Sequence, residues 1–167
     1  FFWLELTLAM KKKSELKLSG PVIRTSNNLT TELRKILPFK LTKAQDRAIA
    51  EIKNDLQMKH PMHRLIQGDV GSGKTLVVFM AALMAVEANK QVAIMVPTEI
   101  LAEQHFKKAQ SLMASLGVKV ALLLGKTKET DRAELLQAIQ NHDVHIVIGT
   151  HAVLENDVRF SDLALVV

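Results

Sequence analysis

Cysteine and tyrosine are absent from the 167-residue chain, and aromatic residues make up only 4% of it. The absence of cysteine excludes disulfide bonds and thiolate metal sites, and it fits a reducing compartment. The scarcity of aromatic rings argues against a groove that stacks single-stranded nucleic acid on ring platforms. Any contact with nucleic acid is therefore expected to follow its backbone.

Long apolar runs are missing as well. The longest strictly apolar run, residues 76–86, has eleven residues, which is about half of what a membrane-spanning helix needs. Residues 1–10 are mostly apolar, but three lysines follow them, whereas in a signal peptide the basic residues come first. We therefore expect no membrane segment and no signal peptide. Because the chain does not begin with Met, we expect it to be a piece of a longer protein.

Charge is distributed unevenly along the chain. The net charge is +5, yet residues 1–40 hold eight Lys or Arg against three Asp or Glu, whereas residues 41–167 hold fourteen of each. A basic segment beside a neutral domain indicates nucleic-acid binding, since Lys and Arg displace counterions from phosphates. A solvated, charged helix face would give the same count, so charge alone leaves both interpretations open.

The first sixty residues read as helices joined by loops. The pattern predicts a helix over residues 1–13 and a loop over 19–28, which is rich in Ser, Gly, Pro and Asn. A short helix is expected over 29–37, where Pro38 stops it. A longer helix with an apolar stripe begins at Thr42 and is expected to end at the break formed by His60 and Pro61.

From residue 64 onward, short apolar segments typical of strands alternate with longer segments typical of helices. We expect strands over residues 64–67, 91–96, 118–124, 145–148 and 163–167. We expect helices over 74–88, 99–116 and 128–140, of which the first is apolar nearly all round and should be covered on several sides. Alternation of helices with near-continuous apolar strands predicts an α/β fold, with a parallel sheet and helices on both of its faces.

One segment fits a phosphate-binding motif at every required position. Residues 68–75 read GDVGSGKT, which is the P-loop pattern G-x-x-x-x-G-K-[ST], and they stand between a predicted strand and a predicted helix. Glycines let the backbone curl so that its N–H groups converge on an anion, and the helix N-terminus adds partial positive charge. The residues expected to hold a nucleotide are Gly68, Asp69, Val70, Gly71, Ser72, Gly73, Lys74 and Thr75.

Two of these residues are expected to act on the reacting end of the nucleotide. Lys74 can reach the β- and γ-phosphates, and the hydroxyl of Thr75 can bind a Mg²⁺ ion that bridges the phosphate oxygens. Kinases, GTPases, transporters and motors all use P-loops, so the motif alone does not say what is done with the phosphate.

Gln45 has two interpretations. With Thr42 it forms the pattern of a capping box, in which each side chain satisfies a backbone N–H of the other residue. Its amide could also bind the edge of adenine, because it holds a donor and an acceptor side by side. Both interpretations hold together if the cap fixes the position of the glutamine.

Residues suited to phosphate contacts follow the other predicted strands, at the edge where α/β sheets place ligands. Thr98 opens a helix and can contact a DNA phosphate or simply cap that helix. Thr150 can likewise contact a phosphate or only cap a turn. The basic turn at Lys126 can contact a phosphate or be an ordinary loop. His105 is interpreted as a solvated helix residue rather than a catalytic one.

Four segments in a fixed order, residues 37–45, 62–75, 97–105 and 149–151, resemble the motifs of superfamily 2 helicases and most closely those of the RecG family. The resemblance implies that residues 1–37 connect a wedge domain to the motor and that residues 38–167 are part of the first RecA-like lobe. It implies ATP and Mg²⁺ as cofactors, with Gln45 at the adenine. The implied DNA contacts are Thr98, Gln104, Lys126, Thr150 and His151.

The resemblance also implies a biological role. Such helicases remodel stalled forks and Holliday junctions in recombination and repair, in the bacterial cytoplasm at the nucleoid, and they bind branched or duplex DNA with a wedge domain and a second motor lobe. The alternatives are the translocase module of a transcription-repair coupling factor and a nucleotide-binding module inactive in isolation. The family places an Asp-Glu pair at the end of the strand that begins here at Leu163. We therefore expect the isolated chain, which ends at Val167, not to hydrolyse ATP.

Overall fold

The structure is a computed structural model that describes residues 1–3, 5–7, 10 and 19–167. Residues 2, 3, 5–7 and 10 are helical, in agreement with the helix expected over residues 1–13. The remainder of that expected helix, including Ala9 and the three lysines that follow Met10, lies outside the described residues.

Five α-helices follow residue 19, close to the bounds that the sequence predicts. They are α1 (Asn28–Ile36), α2 (Lys43–Leu56), α3 (Lys74–Glu87), α4 (Glu99–Met113) and α5 (Glu129–Gln140), with 3-10 turns at Ala114–Leu116 and His151–Leu154. Helix α2 ends before the expected break at His60 and Pro61. Its last turn is tightened by a hydrogen bond of 3.2 Å from the N–H of Gln57 to the carbonyl of Asn54.

The described strands form one parallel sheet, as the sequence predicts. The strands are β1 (Gln91–Met95), β2 (Val120–Leu123), β3 (Ile146–Gly149) and β4 (Leu163–Val166). Their order is β2-β3-β1-β4, and each pairing is parallel. All four carboxyl ends therefore lie at one edge of the sheet, which is where a ligand is expected in this fold class.

Helices cover both faces of the sheet, which confirms the predicted fold class. Val92 and Ile94 of β1 pack with Ile146 and Ile148 of β3 into one core, together with side chains of α1 to α4. Residues of the opposite parity, such as Ala93 and Val147, pack on the other face with α5 and the second 3-10 turn. Because side chains alternate along a strand, both cores draw on the same strands.

Helix α3 is the central helix of the first core. The sequence predicts cover on several sides, and the structure confirms it, since residues 76, 77 and 79–85 are all buried. This burial fixes the helix that begins immediately after the P-loop. The start of α3 is therefore a rigid platform for whatever the loop binds.

Residues 64–67 do not form the strand that the sequence predicts. A groove of about 750 Å³ lies between Leu65 and Ile66 on one side and residues 164–167 on the other. Leu65 is 87% exposed, and without a neighbouring strand within hydrogen-bonding reach an apolar run cannot form a ladder. Arg64 instead ties the segment to α2, through hydrogen bonds of 2.6 Å to Glu51 and 2.8 Å to Asp55.

The expected loop over residues 19–28 is anchored to the far end of α3. The carboxylate of Glu87 accepts hydrogen bonds from the backbone N–H groups of Asn27 (2.7 Å), Leu29 and Thr30 (3.2 Å) and from the hydroxyl of Thr25. A carboxylate at this position caps the N-terminus of α1 and interacts favourably with the positive end of the helix dipole. None of the helices in the described residues combines the length and apolar character needed to cross a membrane.

Candidate nucleotide-binding site

The glycine loop before α3 adopts the left-handed turns that an anion-binding loop requires. Gly71 has a φ of 80° and Gly73 a φ of 82°, values that favour glycine. Gly73 is also the N-cap residue of α3, and since glycine has no side chain it cannot supply the usual cap. The first N–H groups of α3 are therefore left to an external acceptor, which a phosphate can provide.

Lys74 folds back over the loop. Its ammonium donates hydrogen bonds to the backbone carbonyls of Gly68 and Asp69, each at 2.7 Å. An ammonium has three N–H donors, so one remains for a phosphate oxygen even while both carbonyl bonds persist. The side chain is thus already positioned at the loop, as the motif predicts.

Gln45 is held in the capping box, and it also contacts the P-loop. Its Oε1 accepts from the N–H of Thr42 at 2.9 Å, while the Thr42 hydroxyl accepts from the N–H of Gln45 at 3.2 Å. Its Nε2 donates to the carbonyl of Ser72 at 2.9 Å. The capping interpretation is confirmed, and the adenine role stays a prediction. The contact with Ser72, which the sequence did not indicate, joins the start of α2 to the loop.

The remaining predicted nucleotide residues lie along this loop and at the start of α3, and their role in binding stays a prediction. Asp69 and Val70 are exposed at its tip, while Thr75 is half-buried in the first turn of α3. Thr75 lines a small cavity of about 180 Å³ together with Lys74, the end of β1 and Val167, which follows β4. This position at the carboxyl edge suits a hydroxyl that binds a metal ion beside the phosphates.

The residues expected to contact DNA lie after strands β1, β2 and β3. Thr98 caps α4, since its hydroxyl accepts from the N–H of Leu101 at 3.3 Å, and Gln104 is exposed on the same helix. Thr150 directly follows β3 but its side chain does not cap the 3-10 turn, and His151 beside it is exposed. The parallel sheet thus brings these side chains to the same edge as the P-loop.

Lys126, after β2, is paired with acidic side chains. Its ammonium lies 2.9 Å from Glu99 and 3.2 Å from Glu103, both on α4. The hydrogen bonds that its ammonium donates to the carboxylates of Glu99 and Glu103 raise the pKa of Lys126. The turn that the sequence showed as basic therefore carries one positive and two negative charges once α4 is in place.

Comparison with known proteins identifies the family. The model of the DEAD/DEAH box helicase family matches residues 42–167. The chain belongs to this helicase family. The match begins at the capping residue Thr42 and includes the P-loop and the carboxyl edge of the sheet, so the helicase motifs and the site described above are the same part of the molecule.

Individual helicases confirm the predicted resemblance to RecG. The chain is 42% identical over 166 residues to the ATP-dependent DNA helicase RecG of Aquifex aeolicus, with 99% of this chain and 21% of that protein covered. It is 47% identical over 145 residues to RecG of Escherichia coli, with 87% and 21% covered. The chain thus spans about a fifth of these relatives.

Solved helicase structures agree with this. A RecG bound to a three-way DNA junction superposes with a TM-score of 0.93 and 43% identity, over 99% of this chain and 23% of that one. A hypothetical ATP-dependent RNA helicase from Sulfolobus tokodaii gives a TM-score of 0.55 at 18% identity, over 78% of this chain and 35% of that one. The second likeness shows the fold alone.

One residue of this helicase lobe was misinterpreted from the sequence. His105 is half-buried rather than solvated, and it lines the same small cavity as Thr75. Burial, and to a smaller degree the charge of Lys108, lowers the pKa of its imidazole. The helical spacing could have indicated this burial. His105 falls on the same stripe of α4 as Ala102, Ala109 and Met113, which are buried.

Proposed function

We propose that the chain supplies the nucleotide-binding part of an ATP-dependent DNA helicase that remodels branched DNA, such as stalled forks and Holliday junctions, in recombination and repair. The observation that carries this proposal is the close likeness, over nearly the whole chain, to a RecG solved on a three-way DNA junction. The P-loop supports the use of ATP.

ATP and Mg²⁺ are the cofactors assigned to the loop. The fit is supported by the left-handed Gly71 and Gly73 and by the uncapped start of α3, which leave backbone donors for a phosphate. Lys74 would hold the β- and γ-phosphates, and Thr75 would bind the metal. When bound, Mg²⁺ would neutralise the charge that develops on the phosphate oxygens.

Gln45 could bind the edge of adenine while it keeps the hydrogen bonds of its capping box. Among the described residues, its Oε1 has one partner, the N–H of Thr42, and its Nε2 has one, the carbonyl of Ser72. A carboxamide has two N–H donors and two lone pairs, so one donor and one lone pair remain for the edge of a base. The same side chain would then contact the base and hold the phosphate loop.

DNA is the partner assigned to the carboxyl edge. Thr98 and Thr150 would contact the DNA backbone, with Gln104 and His151 beside them. Lys126 would contact a DNA phosphate only when its ion pairs with Glu99 and Glu103 are broken. Residues 1–37 would connect this lobe to a wedge domain, and residues 38–167 would act with a second motor lobe. We assign the protein to the bacterial cytoplasm, at the nucleoid, because the relatives it resembles are ATP-dependent DNA helicases of bacteria.

The test is ATP hydrolysis by the full-length protein with a three-way junction, with linear duplex of equal length, and without DNA. We expect the junction to raise the rate more than the duplex does. Lys74→Ala should lower the stimulated rate at least about a hundredfold, because charge stabilisation at a transferred phosphate is worth that much or more. Arg47→Ala, at an exposed position of α2, is the control and should retain the rate.

Two results would refute the proposal. A protein that hydrolyses ATP at the same rate with and without any DNA is not a DNA-dependent motor. A protein that is stimulated equally by linear duplex and by the junction is a translocase without preference for branched DNA, which would favour the transcription-repair alternative.

A further inference from the structure

Glu87 places a negative charge at the end of α3 that its own helix disfavours. It is the last residue of α3, and the C-terminus of a helix carries partial negative charge from carbonyls that lack helical partners. The hydrogen bonds that its half-buried carboxylate accepts come from residues 25–30, which lie 57 to 62 positions earlier in the sequence. The charge therefore stabilises a contact with this distant segment at the expense of α3 itself.

Helix α1 has no cap of its own. Its N-cap residue, Asn27, has a left-handed φ of 60° and makes no side-chain cap bond, and the first turn holds no acidic residue. Glu87 supplies what is missing. Its Oε1 accepts from the N–H groups of Leu29 and Thr30 in the first turn, while its Oε2 accepts from the N–H of Asn27 and the hydroxyl of Thr25. One carboxylate thus holds both the helix start and the turn before it.

Other contacts anchor the chain on either side of residues 25–30. Before them, the N–H of Ile23 bonds to the carbonyl of Leu56, at the end of α2, at 2.8 Å. After them, Leu33 of α1 is fully buried in the first core. Removing the carboxylate of Glu87 should therefore loosen residues 25–30 while the rest of the lobe stays folded.

We propose that Glu87 is a positioning residue that docks residues 25–30 onto α3 and so sets how much DNA is unwound for each ATP hydrolysed. The inference rests on the DNA-helicase function proposed above, in which residues 1–37 connect the lobe to a wedge domain. Helix α3 has 14 residues, or about 20 Å, with the P-loop at one end and Glu87 at the other. A docked connector moves with this rigid helix, whereas a loosened one lets the lobe turn over ATP without displacing the wedge domain.

The first test is hydrogen exchange, measured by mass spectrometry on the full-length wild type and on Glu87→Gln. The amide has the size of the carboxylate, but it turns an N–H donor towards the donors on one side. Amides of residues 25–30 should exchange at least about tenfold faster in Glu87→Gln, while those of 76–85 stay unchanged. Glu134→Gln removes the same charge at an exposed position of α5 and is the control. Unchanged exchange at 25–30 in Glu87→Gln would overturn the docking.

The second test measures unwinding of a three-way junction and ATP hydrolysis in the same reaction. Glu87→Gln should unwind at least about fivefold less junction per ATP hydrolysed, while the junction-stimulated rate of ATP hydrolysis stays within about twofold of the wild type. Thr25→Val removes one of the four hydrogen bonds to the carboxylate and should lower the same ratio by a smaller factor. Glu134→Gln should leave the ratio unchanged.

The outcomes separate this role from the function on which it rests. A wild type that does not unwind the junction removes the helicase proposal, and the effect on unwinding falls with it. If the wild type unwinds the junction and Glu87→Gln unwinds as much per ATP, only the role of Glu87 is wrong. A loss of ATP hydrolysis in proportion to the loss of unwinding would make Glu87 a residue that only stabilises the lobe, and it would also overturn the proposal.

Discussion

Substituting Gly73 by alanine tests the contact between the P-loop and the start of α2. A Cβ at this position would lie 2.3 Å from Nε2 of Gln45, so the amide must move. Moving it breaks the 2.9 Å hydrogen bond to the carbonyl of Ser72, and such a bond contributes about 0.5–1.5 kcal/mol. The φ of 82° at Gly73 adds about 1–2 kcal/mol for any residue with a Cβ.

The lost hydrogen bond and the backbone strain together give a cost of about 1.5–3.5 kcal/mol for Gly73→Ala, and a double-mutant cycle can separate the two contributions. In a Gln45→Ala background the clash and the bond to Ser72 are already gone, so Gly73→Ala should cost only about 1–2 kcal/mol there. The two substitutions are therefore expected to be less than additive by about 1 kcal/mol.

The assay is urea unfolding followed by far-ultraviolet circular dichroism, with the midpoint and slope compared across the four proteins of the cycle. Gly117→Ala is the control for backbone strain alone, because Gly117 also has a positive φ (69°) and, apart from its chain neighbours, no described residue has an atom within 4 Å of an added Cβ. The contact is refuted if the losses in unfolding free energy caused by Gly73→Ala and Gln45→Ala are additive. It is also refuted if Gly117→Ala lowers the unfolding free energy as much as Gly73→Ala does.

Two further predictions concern ionisable side chains. Burial lowers the pKa of His145 below its ordinary 6.5, and its neutral Nδ1 accepts the N–H of Lys119 at 2.9 Å. The unfolded chain therefore binds the proton more tightly, so Tm should fall as pH drops below about 6.5, and His145→Asn should flatten that dependence. Changing Glu99 and Glu103 together to Gln should free Lys126 and tighten duplex binding a few-fold at low salt, as fluorescence anisotropy would show, with the gain lost at high salt.

Much of the fold was predictable because its signals are local. A strand covered on both faces is apolar throughout, so β1 and β3 stand out as runs between helices. Helix ends also carry their own signals, and the caps at Thr42 and Thr98 are where the sequence placed them. The P-loop is local as well, since one stretch of eight residues supplies the turn, the helix start and the lysine.

What escaped prediction depends on contacts between distant parts of the chain. Residues 64–67 have the composition of a strand, but a strand also needs a neighbour, and composition does not show whether one lies within reach. The pairing of Lys126 joins two segments that are 23 residues apart. Gln91 is a further case, because it is fully buried inside a strand and its amide joins β1 to the carbonyls of Ile139 and Val144.

Gln45 shows how a local signal and a distant contact combine at the site. The capping box is readable from two residues, and it fixes the amide through the N–H of Thr42. Because the amide is fixed, its other end can reach the Ser72 carbonyl across 27 residues of sequence. Lys74 holds two more carbonyls of the same loop. Three of the loop's carbonyls are thus bonded by side chains at the starts of α2 and α3, so a ligand that displaces either side chain must also alter the loop.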